Sequence, residues 1–320
     1  MINILLIALG IFLLIRGADR LIEGALGLTK KLGVSELFAG LTVVAFGTSA
    51  PELVVTVSSS IRGASVGLGN VLGSNVANIG LILGISFLIS PTKVQKSTVN
   101  IEMPFLVIIS VVIFAMMMEG NSVLTRYDGM ILITFFLIFT AYLYYMAKND
   151  QQLRKQLVES DEMKKVEKEE SWAKIITFSA LGLAMLIIGG ELTVSNSVIF
   201  AKNIGISESL IGVTIVAVGT SLPELVTAIV AAIKHSDDIV MGNIVGSNTF
   251  NIAAILGISA LINGASADRS VAFDVSYGLL LALVLLFGTM MKKDRKVGRG
   301  LGAVLLSLYV IYLIISIRIG

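Results

Sequence analysis

Two glutamates stand where a carboxylate is hardest to keep. Glu52 and Glu224 each lie inside a long apolar stretch, in the matched motifs Gly47-Thr48-Ser49-Ala50-Pro51-Glu52 and Gly219-Thr220-Ser221-Leu222-Pro223-Glu224. An acid at the centre of a membrane helix costs on the order of 3 kcal/mol by insertion scales, and such residues usually face the bundle interior and mark an ion path. Two carboxylates brought face to face repel unless they share a proton or a cation, and one divalent cation neutralises both. Pro51 and Pro223 cannot donate a helical hydrogen bond and crowd the carbonyl one turn back. This predicts released carbonyls near residues 45–47 and 217–219, which at membrane depth need another partner; a bound cation can be that partner. Thr48 lies four residues before Glu52, on the same helix face, and Ser49 adds a hydroxyl beside it. Thr220 and Ser221 repeat the pattern around Glu224.

A second polar stripe accompanies each acid. Asn70, Ser74 and Asn78 are spaced by four, as are Asn243, Ser247 and Asn251, so each set lines one face of a helix. Gly69 and Gly73, and Gly242 and Gly246, have the spacing that lets helix backbones approach closely. Together these segments offer carboxylate, hydroxyl, amide and carbonyl oxygen. The chain has no cysteine and one histidine, His235, read as a loop residue. Thiolate chemistry, disulfides and multi-histidine metal sites are therefore excluded. An all-oxygen set suits Ca²⁺, Na⁺ or Mg²⁺, and two carboxylates favour Ca²⁺ over the more reluctantly dehydrated Mg²⁺.

The elements that hold these residues are apolar helices. The chain is 55% hydrophobic and only 14% charged, against about 25% charged in a soluble domain. Spanning a bilayer takes about 20 apolar residues, and about ten such segments are expected, centred on 5–15, 37–57, 71–89, 105–118, 130–146, 175–188, 210–233, 245–262, 277–291 and 303–317. The first is read as a membrane helix and not as a cleaved leader, because no positive region precedes it. Residues 148–171 are dense in charge of both signs and read as a solvated linker, partly helical, between residues 1–147 and 172–320.

These two halves repeat. Residues 9–40 match 181–212, residues 41–61 match 213–233, and residues 69–89 match 242–262. Each half holds about five helices, an odd number, so the two copies must cross the membrane in opposite senses, as in many secondary transporters. The expected fold is an all-α polytopic membrane protein of two inverted five-helix repeats. Of the 24 Lys and Arg residues, 19 fall on one side of this plan and five on the other. The positive-inside rule then puts the linker in the cytoplasm and both termini outside. Asp19 and Glu191, and Glu102 and Asp274, are also matched across the repeat and are expected at the membrane interface. The net charge of +2 gives no reason to expect nucleic acid; the lipid bilayer is the expected surrounding, and the protein is expected to be a monomer.

At these paired motifs the chain resembles the cation/calcium exchanger superfamily, and within it the prokaryotic sodium/calcium exchangers, over essentially its whole length. The resemblance implies that Glu52 and Glu224 share calcium and also contact sodium, and that Thr48 and Thr220 give backbone carbonyls to calcium. It further implies that Ser49, Ser74, Ser221 and Ser247, with the carbonyls of Ala45 and Ala217, hold sodium, with Asn78 and Asn251 at the centre. Calcium and sodium would occupy the site alternately, the first and sixth helices sliding across the other eight; no cofactor is implied. One position departs: better-known members carry Asp where Asn251 stands, which bears on ion count and potassium coupling.

The first reading is therefore an electrogenic Na⁺/Ca²⁺ antiporter of the cell membrane that normally extrudes Ca²⁺. The alternative is H⁺/Ca²⁺ exchange through the same glutamates, although the proton branch typically shows Gly-Asn-x-x-Glu at the motif. A passive channel is disfavoured by the internal repeat, since channels usually assemble rings around a pore. An enzyme or ATP-driven pump is disfavoured by the absence of His-Glu-x-x-His and of a phosphate-cradling glycine loop.

Overall fold

The structure, a computed structural model, describes residues 2–62, 66–119, 123–159, 171–204, 219–266, 271–292 and 294–319, and these are almost entirely helical. Eight helices are long and apolar enough to cross a membrane. The pair Glu36–Thr48 and Ala50–Ile61 is apolar enough as well, and its axis bends by 48° at the break between them. The expected segment 210–233 appears only as the helix Leu222–Ile233; twelve residues rise about 18 Å, too little to span alone, and residues 205–218 lie outside the described residues. The described residues thus hold eight helices of membrane-spanning length and one bent pair.

We number the helices used below: α1 (Ile2–Leu32), α2 (Glu36–Ala39), α3 (Ala45–Thr48), α4 (Ala50–Ile61), α5 (Val66–Ala77), α6 (Gly84–Ile89), α7 (Met103–Glu119), α8 (Arg126–Glu159), α9 (Trp172–Asn203), α10 (Leu222–Ile233), α11 (Asp237–Phe250), α12 (Gly257–Asn263), α13 (Ala272–Met290) and α14 (Arg299–Ile319). Burial sorts them. The span Asp237–Asn263 is 83% buried, whereas Arg126–Leu153 is 17% buried and turns its apolar side chains outward. The helices that carry the asparagine stripes are therefore inner ones, and helices such as α1, α8 and α9 form the outer wall.

Matched stretches of the repeat adopt the same local structure. Both long inner spans change to a π-helical segment at the last asparagine of the stripe, Asn78–Leu83 in one half and Asn251–Leu256 in the other. Such bulges place an extra residue in the turn and occur often at functional sites. Both proline motifs break the helix at the serine: Ser49 has φ −80° and ψ 7°, and Ser221 has φ −88° and ψ 6°. Each proline then occupies the first turn of the next helix, where its missing N–H costs nothing.

Helices α1 and α9 pack antiparallel along a glycine seam. A Cβ placed on Gly17 would lie 2.8 Å from the carbonyl oxygen of Gly182, and one on Gly189 would lie 2.7 Å from that of Gly10. Backbone meets backbone, so the two long helices form one unit. The close approach expected at Gly242 and Gly246 is present, against Gly40, Leu41 and Ala45. No described residue comes within 4 Å of a Cβ on Gly69, and one on Gly73 meets only the Tyr312 hydroxyl at 3.9 Å; residues 212–217, their counterparts to 40–45, lie outside the described residues.

Loops expected on one side meet one another. The strand β1 (Thr92–Lys93) pairs with β4 (Lys296–Val297), and β2 (Val123–Leu124) pairs with β3 (Ala265–Ser266), both antiparallel. The backbone N–H of Lys93 donates to Asp237 at 2.8 Å, and that of Ser35 donates to Asp150 at 3.0 Å. Each contact joins loops, or helix ends beside them, of the same parity in the expected helix order. Helix α8 continues to Glu159, so the first part of the linker is helical.

Candidate functional site

Glu52 and Glu224 are 1% and 0% exposed. Each stands in the first turn after its serine break, at the positive end of the helix dipole. They come from opposite halves of the chain and are close enough to interact electrostatically. The Ser49 hydroxyl donates to Glu224 Oε1 at 3.1 Å. Among the described residues, both oxygens of Glu52, the second oxygen of Glu224 and the Ser221 hydroxyl have no hydrogen-bond partner. No ion pair reaches either acid among the described residues.

The amides beside them form a cross-linked core. Asn75 and Asn248 exchange hydrogen bonds, each side-chain nitrogen donating to the other's backbone carbonyl, at 3.4 and 3.1 Å. Asn78 donates to Asn248 Oδ1 at 2.9 Å, and Asn251 donates to Asn75 Oδ1 at 2.9 Å and to Ser74 Oγ at 3.4 Å. These bonds use the amide nitrogens of Asn78 and Asn251 and leave the Oδ1 atom of each without a partner among the described residues. Asn75 and Asn248 were not picked out by the spacing-of-four stripe. The signal was there, since each is the Asn of the same Gly-Ser-Asn triplet in both halves, but its face lies one residue off the stripe.

Other expected residues meet across the halves. Thr48 donates to Asn243 Oδ1 at 3.1 Å, and Thr220 donates to Asn70 Oδ1 at 3.3 Å, the same bond made twice. The side-chain nitrogens of Asn70 and Asn243 are unpaired among the described residues. The carbonyl of Ala45 is not left free by Pro51: it accepts from the Ser49 N–H at 3.1 Å and from Ser247 Oγ at 3.3 Å, with the Thr48 hydroxyl, which donates to Asn243, also 3.3 Å away. Ser74 donates to the carbonyl of Val71 at 2.9 Å. Ala217 lies outside the described residues.

The other matched acids divide. Asp19 forms an ion pair with Lys234, and Glu191 is exposed and accepts from Ser195 at 2.7 Å, in keeping with an interfacial place. Glu102 and Asp274 do not fit that expectation, being 0% and 2% exposed. Tyr142 hydrogen-bonds Glu102, and Tyr312 donates to Asp274 at 2.9 Å. Position near a helix end could not reveal this, because each tyrosine lies on the following helix of the chain, 40 and 38 residues further on.

Chemically, the buried interior holds two acids together with amide and hydroxyl oxygens that have no partner among the described residues, and no side-chain cation there pairs with either acid. A buried acceptor without a partner costs about 1–3 kcal/mol, more when charged, so the arrangement is suited to a desolvated hard cation. Among the described residues no three of His, Cys, Asp and Glu cluster as a metal site; two acids plus neutral oxygens hold a cation less permanently than a carboxylate-rich cage would. Fold and site together define a multi-span membrane protein built to handle cations. The sequence matches the family described as "Sodium/calcium exchanger protein" over residues 2–145 and 174–318, and the chain belongs to that family, one of cation/Ca²⁺ antiporters and not of enzymes. It is 34% identical to the putative antiporter CaxA of Alkalimonas amylolytica, over 96% of each chain. It is 34% identical to the sodium/calcium exchanger MaX1 of Methanosarcina acetivorans, over 98% of each. The structure is similar to that of the sodium/calcium exchanger from Methanococcus jannaschii, with a TM-score of 0.79, 29% identity, and coverage of 98% of this chain and 97% of that one.

Proposed function

We propose that this protein exchanges Na⁺ for Ca²⁺ across the cell membrane by alternating access. The observation that carries the proposal is the pairing of Glu52 with Glu224 amid unpaired oxygens and no side-chain cation. One Ca²⁺ would neutralise both acids, with the backbone carbonyls of Thr48 and Thr220 completing its shell. In the alternate state Na⁺ ions would use the same acids with Ser49, Ser74, Ser221 and Ser247 and the carbonyls of Ala45 and Ala217. Asn78 and Asn251 would supply the central oxygens. Ser247 already donates to Ala45, which supports their sharing one subsite.

The two halves would be related by inversion, with the termini outside and the linker cytoplasmic. The glycine seam makes α1 and α9 one body, which supports their moving together against the remaining helices. With only two acids balancing the load, more than two Na⁺ per Ca²⁺ makes the cycle electrogenic. A negative cell interior then contributes about 2.3 kcal/mol per net charge per 100 mV toward extruding Ca²⁺. The test is ⁴⁵Ca²⁺ uptake into proteoliposomes loaded with Na⁺. Uptake that follows the Na⁺ gradient and responds to an imposed potential is expected. Uptake driven equally by a pH gradient in the absence of Na⁺ would overturn Na⁺ as the counter-ion.

A further inference from the structure

Away from the buried acids, Asp19 of α1 and Glu191 of α9 are matched across the repeat, and so are two cations. Lys234 and Arg62 directly follow the repeated stretches 213–233 and 41–61. Each caps the C-terminus of a helix that carries a site glutamate, Lys234 on α10 and Arg62 on α4. One acid–cation pair is made: Asp19 forms an ion pair with Lys234. Its counterpart is not. Glu191 and Arg62 are both exposed, and Glu191 accepts instead from Ser195 of its own helix at 2.7 Å. Among the described residues no ion pair joins Arg62 to Glu191.

Packing follows the same asymmetry. Helix α1 lies along α10, whereas the matched helices α9 and α4 are not packed in this way. On α4, Val54 and Val55 are 64% and 40% exposed. Their counterparts on α10 are covered: Val226 is half-buried and Thr227 fully buried. One sequence pattern thus adopts two arrangements, closed between α1 and α10 and open between α9 and α4. The glycine seam sets the distance between them. It places Gly17 beside Gly182 and Gly10 beside Gly189, so Glu191 stands about eleven residues from the level of Asp19, or about 17 Å along the helix pair. The two acids therefore bracket the seam of the α1–α9 unit.

We propose that these are two ionic latches that exchange during the cycle. Asp19–Lys234 holds the α1–α9 unit against α10 and closes the ion path on the linker side. In the other state that pair parts, Glu191 pairs with Arg62, and the unit closes against α4 on the opposite side. The inference rests on the alternating-access reading above. Both pairs lie off the ion site, so they set which state is populated without touching Na⁺ or Ca²⁺. A partly exposed ion pair biases an equilibrium by at most about fivefold, which tunes the two states without locking either.

The chain has no cysteine, so R62C/E191C can be introduced into the full protein, held in nanodiscs, and treated with a short bismaleimide, with cross-linking read by mass spectrometry. R62C/E191C should cross-link slowly, as the second state is visited. Adding D19N should raise that rate by about fivefold, and the charge swap D19K/K234D should bring it back towards the parent rate. No cross-linking in Na⁺, in Ca²⁺ or without either, or a rate unmoved by D19N, would overturn the proposal. A swap as fast as D19N would reduce the effect to lost packing and overturn it too. Should D19N not fold, choline chloride on R62C/E191C decides: screening the Asp19–Lys234 pair should raise the rate, and an unchanged rate would overturn the latch. Ion exchange is scored separately, by ⁴⁵Ca²⁺ flux in wild type. Na⁺-driven flux without the cross-linking pattern would overturn the latches and leave the exchange reading standing. The full pattern without Na⁺-driven flux would uphold the latches and overturn Na⁺ as the counter-ion.

Discussion

The hydroxyl of Ser49 donates to the carboxylate of Glu224 at 3.1 Å, across 175 residues of chain. The helix break of one half therefore holds the acid of the other. Its counterpart is not made: among the described residues the Ser221 hydroxyl and both oxygens of Glu52 are without partners. A hydrogen bond to a charged group is worth about 1.5–3 kcal/mol. Without bound cation, Ser49→Ala should lower stability by about that amount and Ser221→Ala by less, measured as thermal midpoints in Na⁺- and Ca²⁺-free detergent. Equal losses would contradict the asymmetry.

Glu52→Gln and Glu224→Gln keep size and remove charge. Each should cut Ca²⁺ transport by about 30- to 150-fold, the equivalent of roughly 2–3 kcal/mol of lost binding, while size-exclusion behaviour stays that of a folded protein. Near-normal ⁴⁵Ca²⁺ flux in either variant would rule out a shared site.

Asn251 places its nitrogen on Asn75 and Ser74 and keeps its oxygen free. Asn251→Asp adds a third carboxylate and deletes the donor to Asn75. Transport by this variant should depend on an added proton or monovalent cation, seen as a rate that changes with pH or K⁺ where the wild-type rate does not. Matching pH and K⁺ profiles would show that this position does not set the ion count.

Tyr312 donates to the buried Asp274. Tyr312→Phe should cost about 1–3 kcal/mol, read as a lower thermal midpoint, and the Tyr312→Phe/Asp274→Asn double variant should be less destabilised than the two single losses added together. Strict additivity would mean the contact contributes nothing.

Gly17 sits 2.8 Å, measured from an added Cβ, from the backbone of Gly182, whereas a Cβ on Gly300 meets nothing within 4 Å. Gly17→Leu should separate α1 from α9 and abolish both stability and flux. Gly300→Ala should be neutral. A folded, active Gly17→Leu would show that the seam is not close-packed.

Much of this protein is legible in one dimension. The span of apolar residues needed to cross a bilayer is a length, and the cost of a carboxylate inside it is a local property, so Glu52 and Glu224 stood out without coordinates. The repeat is also a one-dimensional fact, and it pointed to Thr48 and Thr220, Ser49 and Ser221, and the two asparagine stripes as matched pairs. Proline chemistry located both helix breaks to within a residue or two. Tertiary structure decided what those groups do with one another. A spacing rule could not tell that Asn75 and Asn248 tie the inner helices together, that the Ala45 carbonyl is taken by Ser49 and Ser247, or that tyrosines of the following helices cover Glu102 and Asp274. Nor could it show that Asp19 pairs with Lys234 while Glu191 turns to Ser195. Hydrophobic length and residue type act along the chain; hydrogen-bond partnership and ion pairing depend on distances between segments far apart in sequence, and only packing sets those distances.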